Sequence, residues 1–219
     1  MNHLENYSLP TRVLLVEDYA IIRLATKVLI KETFKSAIIH EAATLRDGIS
    51  CLEAHEIDLV LLDIQLPDSE GVAMISKIRM VQPKVRILIF SGLNEQIYGL
   101  HYIKAGANGF LSKDATKDQM QAAISATLND RRFLSEVMQG KILNENMYPG
   151  FVPENPLEAL SIRELEVMDM LLDGLWVKEI ANQLGLTESS VSTYKSKIFE
   201  RLGVTTLIEL YTEAEKFRQ

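Results

Sequence analysis

The sequence predicts an α/β fold, a doubly wound parallel sheet of five βα units, followed by a small all-α domain. Three observations predict it. Short apolar runs alternate with segments of helical spacing through residues 11–130. The third run, Asp58–Asp63, is almost wholly apolar, as a strand buried on both faces is. From Leu157 onward only helical spacing remains, with room for four short helices.

The elements follow in order. Arg12–Glu17 is an apolar run ending in acid, and Ile21, Ile22, Ala25, Val28 and Leu29 then recur at helical spacing. Ala37–Ile39 reads as the second strand and Thr44–His55 as a helix. After Asp58–Asp63 comes a helix around Met74, Ile75 and Ile78, then a fourth strand, Val85–Phe90. Ile97, Leu100 and Ile103 mark a helix, Asn108–Leu111 a short fifth strand, and Met120, Ala123, Ile124 and Thr127 the last helix. Five such units imply a parallel sheet with helices on both faces. Residues 131–156 change character: Pro149, Gly150, Pro153 and Pro156 cluster with Asn144, Asn146 and Asn155, the pattern of a linker, with helix allowed at Ser135–Leu143. The expected organisation is therefore 11–130, a linker at 131–156, and 157–219.

Composition limits the function. The 219 residues are 47% apolar and 24% charged, the balance of an ordinary globular protein. Runs such as Val13-Leu14-Leu15-Val16 are far short of the ~18 residues that span a bilayer. No basic start precedes an apolar signal segment, so export is not expected and no membrane partner is. The single cysteine, Cys51, excludes an internal disulfide and a cysteine-based zinc site, which fits the cytoplasm; a small buried helix residue is its expected role. No G-x-x-x-x-G-K-[ST] loop occurs, which argues against a nucleotide-hydrolysing P-loop. The net charge of −7 argues against nucleic acid if taken alone.

In open parallel sheets ligands sit beyond the carboxyl ends of the strands. Glu17 and Asp18 end the first strand, Asp63 ends the third, Ser91 follows the fourth and Lys113 the fifth. The strand alignment puts all five on one edge. Carboxylates so close repel one another and call for a positive partner; Mg²⁺, a hard cation with oxygen ligands, suits them, and Lys113 supplies a second positive charge. A carboxylate is also a nucleophile towards phosphorus, so Asp63 is a candidate for in-line attack on a phosphoryl group, with metal and lysine neutralising the oxygens and the Ser91 hydroxyl donating to the acyl-phosphate. A dehalogenase-type phosphatase would want a second Asp two residues on as general acid. Position 65 is Gln, which argues against that enzyme.

Glu17-Asp18, Asp63 with Pro67, Ser91-Gly92, and Lys113 after Gly109-Phe110-Leu111-Ser112 resemble a response-regulator receiver domain, which has a flavodoxin-like fold. The spacings of 45, 28 and 22 from Asp18 through Asp63 and Ser91 to Lys113 fit that resemblance. It implies that Asp63 is the phosphoacceptor. It implies that Glu17 and Asp18 hold Mg²⁺ with the Asp63 carboxylate and the backbone carbonyl of Gln65. Ser91 is then the switch hydroxyl, Lys113 the phosphoryl contact and Phe110 the switch aromatic, acting by rotamer because Phe lacks a hydroxyl. Gln65 and Leu93 take the positions that tune autodephosphorylation.

In the C-terminal part, Ser161-Ile162-Arg163-Glu164 is a capping box opening an apolar stripe of Leu165, Met168, Leu171 and Leu172. Lys178–Leu184 is a short second helix ended by Gly185, and Thr187 caps a third. At ~100° per residue, Val191, Tyr194, Ile198 and Leu202 share the core side of that third helix. Ser189, Thr193, Ser196 and Glu200 share the other side, flanked by Ser192 and Lys197. Small polar side chains outward suit a major groove, and Lys195, Lys197 and Arg201 suit phosphates on its walls. Leu160 through Glu164, Lys178-Glu179-Ile180-Ala181, Thr187 through Val191 and Leu202-Gly203-Val204 resemble the LuxR-type helix-turn-helix. With a receiver, that is the NarL/FixJ arrangement of response regulators. The resemblance puts Ser192, Thr193 and Ser196 at base-facing positions, and makes Lys178 and Lys195 candidates for the DNA backbone. Trp176 departs from the small polar residue common at its place and is expected to pack on the domain, with an interface role as the alternative.

The −7 divides into −2 over residues 1–128, −1 over 129–156 and −4 over 157–219, but Glu188–Leu202 alone carries +1. Charge thus sharpens the expectation of double-stranded DNA: weak non-specific affinity, modest salt dependence and reliance on two paired subunits. The function expected is a non-enzymatic transcription factor, a response regulator whose Asp63 is phosphorylated by a partner histidine kinase and which dimerises when phosphorylated. The alternative is a DNA-binding regulator that uses the first domain as a phosphorylation-independent interaction module.

Overall fold

The computed structural model describes residues 10–147 and 155–218. The chain divides into two compact units, Met1–Leu93 with Tyr102–Ser135, and Asn94–His101 with Glu136–Gln219.

The first unit is built on a parallel sheet of β1 (Arg12–Val16), β2 (Ile38–Ala42), β3 (Leu59–Leu62), β4 (Arg86–Ser91) and β5 (Gly109–Ser112), in the order β2-β1-β3-β4-β5. Helices α1 (Ala20–Thr33), α2 (Leu45–Ala54), α3 (Ala73–Val81), α4 (Glu95–Ala105) and α5 (Lys117–Leu128) follow the strands in the chain, α4 being counted with the second unit as far as His101. The doubly wound sheet expected from the sequence is therefore the fold. Strands β1 and β3 are central and apolar because both faces are covered: Val13 through Val16 and Leu59 through Leu62 are all buried. On one face Leu15, Leu61 and Leu88 pack with Ile30 and with Met120, Ala123 and Ile124 of α5. Leu61 has no exposed surface at the middle of β3. We expect Leu61→Ala to cost about 3 kcal/mol through lost burial and a cavity, lowering the urea midpoint without changing the slope of the transition.

Strand β2 runs to Ala42, past the expected end at Ile39. His40 and Glu41 are polar, which hides the strand in the sequence. At a sheet edge only the backbone needs pairing, and His40 and Glu41 register with Leu14 and Leu15. The Glu41 side chain turns to Lys27 and Arg23. Beyond β5, Phe133 forms a bridge to Gly109, and a Cβ at Gly109 would come within 2.7 Å of the Phe133 carbonyl, so only glycine fits there.

The second unit contains α6 (Glu136–Met147), α7 (Ile162–Leu172), α8 (Val177–Leu184), α9 (Glu188–Leu202) and α10 (Leu207–Arg218). Helix α6 extends past Leu143, where the sequence reading stops, because Asn144 and Asn146 carry no helical apolar signal. The Pro149–Pro153 part of the expected linker lies outside the described residues. Asn155 caps a 3₁₀ turn at Pro156–Ala159, and Ser161 and Glu164 form the capping box of α7. Gly185, at φ 62°, makes the left-handed turn between α8 and α9, where a side chain would be strained. Leu165, Met168, Ile180, Ala181, Val191, Ile198, Leu210 and Ala214 form the buried centre of these helices.

Candidate functional site

The sheet register delivers the acidic edge. Each polar residue there is positioned by a backbone bond from a strand terminus to its neighbour. The Glu17 amide donates to the Ala42 carbonyl (3.0 Å), the Asp63 amide to Val16 (2.9 Å) and the Lys113 amide to Ser91 (2.9 Å). The side chains of Glu17, Asp63 and Lys113 consequently converge. Lys113 Nζ lies 2.7 Å from Asp63 Oδ2 and 2.8 Å from Glu17 Oε2. Asp63 Oδ1 accepts from the Gln65 amide at 3.1 Å, and Glu17 Oε1 from the Tyr19 amide at 3.2 Å. Ser91 is fully buried at the end of β4, its Oγ accepting from the Leu93 amide at 3.2 Å. Phe110 is buried on β5, and Gln65 Oε1 lies beside Gly92.

Electrostatically the cluster is under-neutralised. Glu17, Asp63 and the half-buried Asp18 bring carboxylate oxygens within 4.8 Å of one another against one lysine. Burial pushes the Glu17 carboxyl up from its ordinary range, partly countered by Lys113. Burial works to strip the Lys113 proton, yet hydrogen bonds to Asp63 and Glu17 and their charges outweigh it, so its pKa is raised and it stays cationic. Asp18 Oδ1 is buried with no hydrogen-bond partner. Glu17 Oε2 likewise has no aligned hydrogen bond, though it is within ion-pair distance of Lys113. An orphaned Asp18 oxygen among clustered carboxylates fits a hard divalent cation, whose preferred ligands are oxygens.

A second polar surface lies on α9. Ser192, Thr193, Ser196 and Lys197 are exposed on one side, while Val191 and Ile198 are buried on the other. The Thr193 and Ser196 hydroxyls donate back to the carbonyls of Ser189 (2.9 Å) and Ser192 (3.0 Å), which leaves their lone pairs facing outward. Lys178, on α8, is exposed. Lys195 is half-buried, with Nζ 5.3 Å from the Phe199 ring centroid. Arg201 corrects the sequence reading. It donates to the Ala159 carbonyl (2.8 Å) and pairs with buried Glu164 (3.0 Å), so its charge is committed inside the unit. Trp176 is a second correction: it is 78% exposed. Asp173, Gly174, Lys178 and Glu179 are exposed too, while the flanking Leu175 and Val177 are partly buried.

Fold and edge together define a receiver-type signalling module joined to helix-turn-helix helices, and the chain belongs to the response regulators with a LuxR-family DNA-binding domain. Residues 13–125 match the response regulator receiver domain, and residues 158–214 match the bacterial regulatory proteins of the luxR family. The Fimbriae Z protein of Salmonella typhimurium is 32% identical over 206 residues, covering 94% of this chain and 97% of the relative. The DNA-binding transcriptional activator EvgA of Escherichia coli K12 is 30% identical, covering 93% and 97%. Among solved structures, RcsB of Salmonella enterica serovar Typhimurium bound to promoter rprA with a beryllofluoride phosphomimetic has a TM-score of 0.74 at 19% identity. It covers 94% of this chain and 98% of its own, a likeness of fold. Among the described residues no helix is long and apolar enough to cross a membrane.

The Arg201 finding separates two kinds of basic residue. We expect Arg201→Ala to destabilise the second unit by about 1 kcal/mol, a modest loss because the guanidinium is half exposed while Glu164 is buried. Lys197→Ala should leave the urea midpoint unchanged. Urea unfolding of both variants, followed by circular dichroism, checks the contrast.

Proposed function

We propose that this chain is a transcription factor switched by phosphorylation of Asp63 by a partner histidine kinase, with residues 11–130 receiving the phosphoryl group, 131–156 linking, and 157–219 binding DNA. The observation that carries the reading is the convergence of Asp63, Glu17 and Lys113 at the strand ends, with an orphaned oxygen at Asp18.

An Asp63 carboxylate oxygen attacks the phosphorus of a phosphohistidine. The O–P bond forms as the P–N bond breaks, and the imidazole leaves with that electron pair. Gln65 N–H holds the other Asp63 oxygen and orients the carboxylate. Lys113 stays cationic and neutralises a phosphoryl oxygen. Ser91 moves its hydroxyl to donate to the acyl-phosphate, and Phe110 follows by rotamer. Glu17, Asp18, the Asp63 carboxylate and the Gln65 carbonyl would hold Mg²⁺, which would supply further positive charge for the phosphoryl oxygens. A local charge event of this kind biases a two-state element.

An exposed apolar stripe of Ile21, Leu24 and Val28 on α1 supports a protein partner for this unit, whether kinase or second copy. In the second unit, Ser192, Thr193 and Ser196 read base edges, while Lys178, Lys195 and Lys197 contact phosphates. Paired subunits then engage two half-sites about one helical turn apart. The test is selection of duplexes from a random pool with and without beryllofluoride and Mg²⁺. A paired half-site motif, enriched in the presence of the mimic, is the expected outcome; the same random sequences in both arms would overturn the reading.

A further inference from the structure

The chain has one tryptophan, and it stands 78% exposed immediately before α8. A tryptophan buries 150–250 Å² when it packs, so an uncovered one forgoes a large gain. Here the exposure is built in. The Trp176 amide donates to Glu179 Oε2 at 2.7 Å, and its backbone is extended at φ −77°, ψ 152°, which fixes where the side chain leaves the main chain. Other large apolar residues exposed in this unit are Val137 and Leu143 on α6 and Leu207, Ile208 and Tyr211 on α10; none belongs to α8 or α9. Leu175 and Val177, which flank Trp176, are partly buried, and the exposed residues nearest to it in sequence, Gly174 and Lys178, are not apolar.

We propose that Trp176 is a DNA-backbone contact, with its indole N–H donating to a phosphate oxygen and its ring lying on the adjacent sugar. This rests on the DNA-binding reading of α8 and α9. In a helix-turn-helix the first helix crosses the sugar-phosphate backbone while the second enters the groove. Trp176 opens that first helix two residues before exposed Lys178, so it continues the surface already assigned. The chemistry is complementary. Indole Nε1–H is a donor with no acceptor capacity, phosphate is an acceptor with no donor, and Lys178 supplies the cation. Of the two carboxylates three residues away, Glu179 is engaged with the Trp176 amide and Asp173 is exposed. Such a contact positions the domain without reading bases.

The experiment uses the full-length chain with beryllofluoride and Mg²⁺, and a duplex selected from the random pool and carrying fluorescein. Anisotropy of the duplex reports binding, and emission from the sole tryptophan reports its environment independently. The emission should shift and lose intensity, saturating at the same concentration as the anisotropy. Trp176→Ala should weaken binding about tenfold for selected and random duplexes alike, and Trp176→Phe about threefold, because the ring stays and the donor is lost. Both variants should keep the parent's melting temperature, since the side chain is exposed. Binding by anisotropy with unchanged emission, and with Trp176→Ala within about twofold of the parent, overturns this contact and leaves the DNA reading intact. Emission that moves with protein concentration alone assigns the residue to a contact between copies and overturns it as well. Absence of any anisotropy change sinks both readings.

Discussion

Asp63→Asn should take up no phosphoryl group from acetyl phosphate or phosphoramidate, with labelling reduced about 100-fold or more against the parent. The substitution is conservative in shape. The amide oxygen still accepts from the Gln65 N–H, and Lys113 retains Glu17 at 2.8 Å, so the strand-end geometry survives. What is lost is the nucleophile, since a carboxamide oxygen does not form a stable acyl-phosphate. Glu17 and Asp18 are adjacent carboxylates and serve as internal controls. Mass spectrometry of the intact chain, with melting temperature as the check on folding, measures the outcome. Equal labelling of parent and variant would move the acceptor to another residue.

Removing Mg²⁺ with EDTA should lower the rate of uptake by about two orders of magnitude, and Mn²⁺ should restore it. The argument is one of charge. Glu17, Asp18 and Asp63 share a pocket with a single lysine already engaged by two of them. An incoming phosphoryl donor adds negative charge to a site where burial has already raised the Glu17 pKa. At short range and reduced dielectric that repulsion is several kcal/mol unless a cation offsets it. Asp18→Asn keeps an oxygen at this position but removes its negative charge, and should raise the Mg²⁺ concentration needed for half-maximal labelling about tenfold. Labelling that is indifferent to EDTA, or an Asp18→Asn chain with the parent's Mg²⁺ dependence, would refute the assignment.

Much of this was legible in the residues. Strands buried on both faces announce themselves as apolar runs, and the polar residues that interrupt them at Glu17, Asp63 and Ser91 mark the functional edge. Legibility failed where side-chain character and backbone role part company. His40 and Glu41 look like loop, yet an edge strand needs only backbone pairing. Arg201 looks like a phosphate contact because of its charge, although helix angles place it nearer the core edge; its partner Glu164 lies 37 residues earlier, and no local pattern links them. Trp176 looks like core because tryptophan usually is, and only its exposed neighbours reveal otherwise. The signal that could have found it was the polar or small pairs Asp173-Gly174 and Lys178-Glu179 that bound the short run Leu175-Trp176-Val177. The charge of −7 was the most misleading global number. With Arg201 paired to Glu164, the proposed DNA surface is left with Lys178, Lys195 and Lys197, which strengthens the expectation that two copies must bind together.

The central claim is that charge at Asp63 controls DNA affinity, and the direct measurement is the dissociation constant for the selected duplex with and without beryllofluoride and Mg²⁺, in the parent and in Asp63→Asn. The account predicts that the parent binds about tenfold more tightly with the mimic, as a dimer, and that Asp63→Asn does not respond. Equal affinity of the parent in both conditions, or an equal gain in Asp63→Asn, would contradict it.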